Sequence, residues 1–293
     1  MKLRFLLVVL VFVTGLSAQK SPELHQIEEL ISLGKFEAAE SLLLQAVQNN
    51  STPELQDRLG EVYGFQQKWD KAIEVYSQLS ESFPQNADYS FKYGGSLAKK
   101  AQNGNKFRAL TLVSKIKSNL KRAVEIDPGH IQAYWALVDL YVSLPGILGG
   151  SNSRAMEYAK RLQSISTLDG YLATGYVYEY DDKPEQAKKA YMQALQLLGN
   201  FKTLSRNQLH YQIGKICGTY GTRIEQGIWH MRQYIENYTA LDGVPLEWAH
   251  YRMAKLHRKN GATDKALASI ENALKLKNSF GPALEEKEKI LSP

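Results

Sequence analysis

Residues Glu54–Asn86 read ELQDRLGEVYGFQQKWDKAIEVYSQLSESFPQN, and this stretch decides how the rest of the chain is read. Leu55, Leu59, Val62 and Tyr63 recur at helical spacing and form one apolar stripe. After a short polar break, Trp69, Ala72, Ile73, Tyr76 and Leu79 form a second stripe. Pro84 stops it. Two short amphipathic helices joined by a tight turn are therefore predicted. Gly60 and Ala72 are small where the two backbones must approach, and Tyr63, Trp69 and Tyr76 fill the space around them. One such hairpin cannot bury its own apolar face, so the flanking sequence has to supply neighbours.

It does, on both sides. Before it, residues 21–53 carry Leu24, Ile27, Leu30 and Ile31, a Gly34–Lys35–Phe36 turn, then Ala38, Ala39, Leu42, Leu43, Ala46 and Val47. After it, comparable pairs of stripes fall near 87–128, 131–166, 168–200, 207–240 and 247–278. The small-residue positions recur at Tyr93–Gly94, Gly175 with Ala187, Ile213–Gly214 with Gly227, and Met253–Ala254 with Ala266. Two windows are longer than the rest. Extra residues around Ala101 to Leu112 predict a second helix extended backwards beyond the stack, and Leu144–Ser153, LPGILGGSNS, predicts an enlarged turn capped by Ser151 or Asn152. Asp182 with Glu185 and Pro184 predicts a capped helix start. Pro282 opens a last charged helix over 282–291 that covers the end of the row.

The set Leu59–Gly60, Tyr63, Trp69, Ala72, Tyr76 and Pro84 resembles the tetratricopeptide repeat, a helix–turn–helix unit of about 34 residues. The resemblance covers about seven repeats and implies an all-α fold: a right-handed superhelical solenoid of antiparallel helix pairs, forming a single domain over 21–293. The Pro-Gly…Gly-Gly-Ser insertion resembles one found in exported bacterial proteins of this kind.

With 44% hydrophobic and 23% charged residues in a chain of 293, the composition is that of an ordinary globular protein. The net charge of +6 is spread out with no long basic run, which argues against nucleic acid as a partner. Residues 1–18, MKLRFLLVVLVFVTGLSA, have a basic start, a short apolar centre and small residues at the end. They resemble a secretory signal peptide and imply an exported protein, periplasmic or secreted. Cys217 is the lone cysteine and falls at an inward position, where a buried inert thiol is expected.

Nothing in the sequence assembles a reaction centre. The six histidines, His25, His130, His210, His230, His250 and His257, lack zinc-ligand spacing, and neither a Gly-x-Ser-x-Gly nor a P-loop is present. The expectation is a non-enzymatic protein with no cofactor and no metal.

In the resembling family, the first helix of each repeat lines the concave wall. The positions two before the Leu and one after the Gly of the Leu–Gly pair point there. In this sequence they give Asp57 and Glu61, Phe91 and Gly95, Trp135 and Asp139, Leu172 and Tyr176, Tyr211 and Lys215, Tyr251 and Lys255. The early wall is expected to be acidic, the middle aromatic and the late wall lysine-bearing. Some relatives clamp a chaperone's terminal carboxylate with Lys and Asn in the early repeats. Here Asp57, Glu61, Phe91 and Gly95 occupy those places, so that clamp is not expected. The function implied is a scaffold holding a protein or peptide partner in the groove through Asp57, Glu61, Phe91, Trp135, Asp139, Tyr176, Tyr211, Lys215, Tyr251 and Lys255. The alternative is an envelope-associated structural subunit. It would use the basic helix near Lys115 to Arg122 on a membrane or acidic surface, within the most basic part of the chain, which holds Lys99, Lys100, Lys106, Arg108, Lys115, Lys117, Lys121 and Arg122.

Overall fold

The computed structural model describes residues 22–104, 106–199 and 204–292, so the leader 1–18 lies outside the described residues. Among the described residues there are fifteen α-helices and no strand. They follow as α1 (Pro22–Ser32), α2 (Phe36–Asn49), α3 (Pro53–Phe65), α4 (Trp69–Ser82), α5 (Ala87–Asn103), α6 (Lys106–Ile126), α7 (Ile131–Ser143), α8 (Asn152–Ile165), α9 (Thr167–Tyr180), α10 (Pro184–Leu198), α11 (Asn207–Tyr220), α12 (Ile224–Glu236), α13 (Leu246–Lys259), α14 (Thr263–Leu276) and α15 (Gly281–Leu291). Short 3-10 turns lie at Gly146–Leu148 and Ala240–Asp242.

The starts of several helices are written in single polar residues. Thr52 accepts from the Leu55 amide at 3.3 Å, Asn86 from Tyr89 at 3.1 Å and Ser151 from Arg154 at 3.3 Å. Each satisfies one of the amide groups that a helix start leaves unpaired. Within several hairpins the turn is made differently. The residue two before the second helix takes a left-handed conformation: Gly34 (φ 71°), Gln67 (φ 58°), Asp182 (φ 51°) and Gly261 (φ 72°). Asp182 therefore does not cap α10. Lys183 stands at that position, with no side-chain cap, because the turn consumes Asp182 as its left-handed residue.

Between the helices of a pair, small residues admit large ones. A Cβ on Gly60 would lie 2.7 Å from the Tyr76 ring, and one on Gly175 would lie 2.3 Å from Tyr191. The same contact recurs between Gly94 and Leu120 at 3.1 Å, and between Gly214 and Met231 at 2.6 Å. Tyr76 also donates from its hydroxyl to the Asp57 carbonyl at 3.0 Å, which fixes the ring over the glycine. Buried side chains then run without a break from Ile27 through Leu43, Leu79, Leu120, Leu137 and Leu162 to Val177. A second cluster continues from Leu172 through Leu195 and Ile213 to Leu256. Trp135 packs against both. Each fully buried Leu contributes about 1.5–3 kcal/mol, so stability is spread along the row.

Two features depart from the sequence expectation. The extra residues near 101–112 are shared between both helices of their pair, giving 17 residues in α5 and 21 in α6. A second helix extended alone would have had no partner for its apolar face. The row also curves far enough to meet itself: α1 packs against the Ala240–Asp242 turn, and a Cβ on Gly34 would lie 3.4 Å from Ala240.

Candidate functional site

All ten wall residues named from the sequence are half-buried. Leu172, expected beside Tyr176 on the wall, is instead fully buried in the second core cluster.

The early wall is not the open acidic surface expected. The Lys92 ammonium donates to both Asp57 oxygens, at 2.6 and 2.7 Å, and to Glu61 at 2.8 Å. Arg58 adds a 2.7 Å bond to Glu61 and a 3.4 Å contact to Glu28. Burial alone would push Glu61 up, but Lys92 and Arg58 together hold it below the usual carboxylate range. Burial keeps Asp57 raised despite Lys92. Burial would lower Lys92, yet its two carboxylate partners raise it. A cavity of about 540 Å³ lies over this patch, lined by Glu61, Lys92, Gly95 and Lys99 and also by Gly243 from the loop before α13. That loop thus reaches across the hollow to the early repeats.

The middle wall is where the sequence-derived residues meet. Trp135, Asp139, Tyr176 and Lys215 line one cavity of about 360 Å³, together with Glu179, Tyr191, Gln212 and Thr219. The rings of Trp135 and Tyr176 meet edge to face at 6.3 Å, and Tyr180 packs on Tyr176 at 4.9 Å. The Tyr176 hydroxyl donates to Asp139 at 2.6 Å. Burial first, then the hydrogen bond to Asp139, pushes that phenol far above its ordinary value, so it stays neutral. Trp135 is held by a 2.8 Å bond from its indole N–H to Asp169. The buried Asp169 also receives Arg206 at 2.6 and 2.7 Å and the Ser166 hydroxyl at 2.6 Å. Asp169 and Arg206 were not foreseen.

Against this, Lys215 stands apart. Among the described residues it makes no hydrogen bond and no ion pair, and burial lowers its pKa with Arg252 adding repulsion and Glu179 opposing. Glu179 accepts instead from the Tyr220 hydroxyl at 2.9 Å. The remaining wall residues lie outside this cavity. Tyr211 packs on Tyr234 at 5.2 Å. Tyr251 packs on Trp248 at 5.9 Å and carries Arg252 at 5.1 Å and Lys255 at 5.6 Å over its ring. Phe91 packs on His130 at 5.0 Å and lines a separate groove of about 410 Å³ between α5, α6 and α7. Leu110, Val113, Leu140 and Leu148 line that groove as well.

The basic stretch is largely engaged within the protein. Lys100 pairs with Asp70, Lys115 sits 4.9 Å over the Tyr93 ring and Arg122 donates to the Pro84 carbonyl at 2.9 Å. Lys117 donates to the carbonyls of Leu148 and Gly149 at 3.1 Å. This pins the enlarged turn and leaves its glycines facing a cation rather than an anion. The side chains of Lys106 and Arg108 lie outside the described ones. Cys217 is fully buried and its thiol is pushed up to about 12 by burial, as an inert core thiol requires. Among the described residues no group of three or more His, Cys, Asp or Glu could hold a metal, and no helix is long and apolar enough to cross a membrane.

A row of antiparallel helix pairs with glycine-on-aromatic contacts and a side-chain-lined hollow defines a helical repeat solenoid. Tetratricopeptide repeat models match residues 54–86, 168–197 and 249–280. Solved structures agree at the level of fold. A tetratricopeptide repeat protein of Parabacteroides merdae superposes with a TM-score of 0.51 at 11% identity, over 92% of this chain and 98% of that one. A thermophilic one from Thermus thermophilus gives 0.50 at 19% identity, over 59% and 89%. A chain of the APC/C Cut9–Hcn1 hetero-tetramer gives 0.56 at 14%, over 92% of this chain and 49% of that one. Among curated proteins, none matches the sequence. The chain thus carries tetratricopeptide repeats at these three segments, within a repeat-helical fold.

Proposed function

We propose that this protein is a non-enzymatic, exported scaffold that holds a protein partner along the middle of its concave wall. Tetratricopeptide repeats indicate a protein–protein interaction scaffold. The observation that carries the finer reading is the convergence of Trp135, Asp139, Tyr176 and Lys215 on one cavity. Aromatic rings held in place by hydrogen bonds at a concave surface are typical anchors of protein recognition, because they bring large contact area with little ordering cost. The export assignment rests on residues 1–18 alone, and periplasmic or secreted placement follows from it.

The test is affinity capture of partners from the exported fraction, read by mass spectrometry, with wild type beside a Trp135→Ala, Tyr176→Ala variant. The partners retained by wild type should be lost from the variant while its helical circular dichroism stays the same. Equal capture by both proteins would remove the cavity from consideration. Recovery of the protein in the cytosolic fraction would remove export.

A further inference from the structure

Resting on that reading, we propose that the middle wall takes an extended, uncharged segment of the partner. Its main-chain amide groups are held by Gln132, Gln208 and Gln212, and one of its apolar side chains is seated against Trp135 and Tyr176.

A second cavity, of about 310 Å³, adjoins the one that holds Trp135 and Tyr176. Trp135 and Gln212 line both, so the two form one continuous strip between α7, α9 and α11. Gln208 and Gln212 stand four residues apart on α11 and share a face of that helix, and Gln132 lines the same cavity from α7. At a rise of about 1.5 Å per residue, α11 from Gln208 to Thr219 gives the strip a length of about 16 Å, the reach of about five extended residues.

The chemistry of the strip selects a main chain. Gln132 and Gln208 are exposed and Gln212 is half-buried. Among the described residues, none of these three carboxamides makes a hydrogen bond. They differ in this from their neighbours, since Trp135 and Arg206 bond to Asp169 and Tyr176 bonds to Asp139. A carboxamide offers N–H donors and a carbonyl acceptor, the same groups that a peptide unit presents. A helix arrives with those groups already bonded within itself, whereas an extended chain brings them free. Once an extended chain is desolvated against the wall, its amides need partners of this kind.

Charge does not make the selection. Asp139, Asp169 and Glu179 are the carboxylates of the strip, and Lys215 and Arg206 are its cations. Arg206 pairs with Asp169 at 2.6 Å, and the charge of Glu179 favours the Lys215 ammonium. Asp139 keeps its charge, because the Tyr176 hydroxyl that bonds to it is neutral. An acidic segment would be repelled by Asp139 and a basic one by Lys215, so both signs are selected against. The rings of Trp135 and Tyr176, edge to face at 6.3 Å, then give a Pro, Leu or aromatic side chain its seat. A neutral oligosaccharide also combines ring contact with amide hydrogen bonds; the repeats, which indicate a protein partner, favour the peptide.

The test uses random 12-residue peptides displayed on phage and panned against the full chain. Enriched peptides should be poor in Asp, Glu, Lys and Arg, share a Pro, Leu or aromatic position, and be lost on Trp135→Ala with Tyr176→Ala. A synthetic copy N-methylated at one residue at a time should lose about three- to tenfold in affinity at two or more positions. In a Gln208→Met, Gln212→Met variant the unmodified copy should bind weaker by a similar factor, and those methylation losses should vanish. The two glutamines make no bond within the protein, so circular dichroism should show the variant's fold unchanged. Enriched peptides rich in one sign of charge, a copy that becomes helical when bound, or methylation losses equal in both proteins would overturn this inference. So would tighter binding of chitohexaose than of the peptide. In each of these cases, capture that still depends on Trp135 and Tyr176 leaves the scaffold reading standing. Capture indifferent to both rings, or no peptide enriched above an empty-bead control, would overturn the groove reading itself.

Discussion

Adding one methyl group at Gly60 should destabilise the protein, and adding the same group at Gly95 should not. At Gly60 the new carbon would stand 2.7 Å from Tyr76 Cζ and 2.9 Å from Cε2, where relaxed carbons sit about 3.5–4.0 Å apart. The ring has nowhere to go. It is 3% exposed, and its hydroxyl is tied to the Asp57 carbonyl at 3.0 Å, a bond whose loss costs about 1 kcal/mol. Overpacking of this kind costs about 1–3 kcal/mol, against which the better helix propensity of Ala returns about 1. Gly60→Ala should therefore lose up to about 2 kcal/mol net. Gly95 lies in the next repeat's first helix with no heavy atom within 4 Å of its would-be Cβ, so Gly95→Ala keeps only the propensity gain of up to about 1 kcal/mol. Urea unfolding followed by circular dichroism at 222 nm measures both. Replacing Tyr76 by Leu in the Gly60→Ala background should cost less than it does alone, since the clash and the ring disappear together. Equal stability of the two alanine variants, or strict additivity in the double variant, would refute the account of why these glycines recur.

Three further outcomes follow from other parts of the row. His210 and His230 share a 2.8 Å Nδ1–Nδ1 bond inside the protein, and burial lowers both, His230 to about 4 with repulsion from His210 contributing. The unfolded chain therefore binds more protons between pH 6.5 and 4, so stability should be complete above pH 6.5 and fall by about 3 kcal/mol by pH 4, measured by urea midpoints across that range. Asp169→Asn should cost about 2–3 kcal/mol by leaving the Arg206 guanidinium without its buried counter-charge, and the Trp135 fluorescence should shift as its indole loses its anionic acceptor. Gln67 adopts a left-handed conformation where the first and seventh pairs use Gly34 and Gly261, so Gln67→Gly should hold or raise the thermal midpoint, by the equivalent of up to about 1 kcal/mol.

The sequence makes the fold legible because each hairpin repeats one steric problem. A small residue in the first helix must face a large one in the second, and Gly60 with Tyr76 or Gly175 with Tyr191 states that at fixed spacing. The turns were less legible. Asp182 looked like a helix cap because Asp usually is one. What decides its role is that it stands two residues before the helix, at the position held by Gly34, Gln67 and Gly261. The shared extension of α5 and α6 was hidden for a similar reason. A run of extra residues has a length but no marker of which helix absorbs it.

The early wall departs from its expected openness for a physical reason that can be stated generally. Polar side chains in a solenoid find partners about one repeat away. Lys92 reaches Asp57 over 35 positions, Arg206 reaches Asp169 over 37, Trp135 reaches Asp169 over 34, and Tyr220 reaches Glu179 over 41. A charge read from its own repeat alone therefore looks free when its counter-charge sits one period downstream. Asp57 and Glu61 looked like an open acidic surface because Lys92 was never set beside them. Lys215 follows the same spacing at longer range. Glu179, in the preceding repeat, keeps its charge while accepting from the neutral Tyr220 hydroxyl, and that charge favours the Lys215 ammonium against the burial that lowers its pKa. In a fold whose wall pairs its charges between successive repeats, an ammonium can therefore be matched across one repeat without a direct bond.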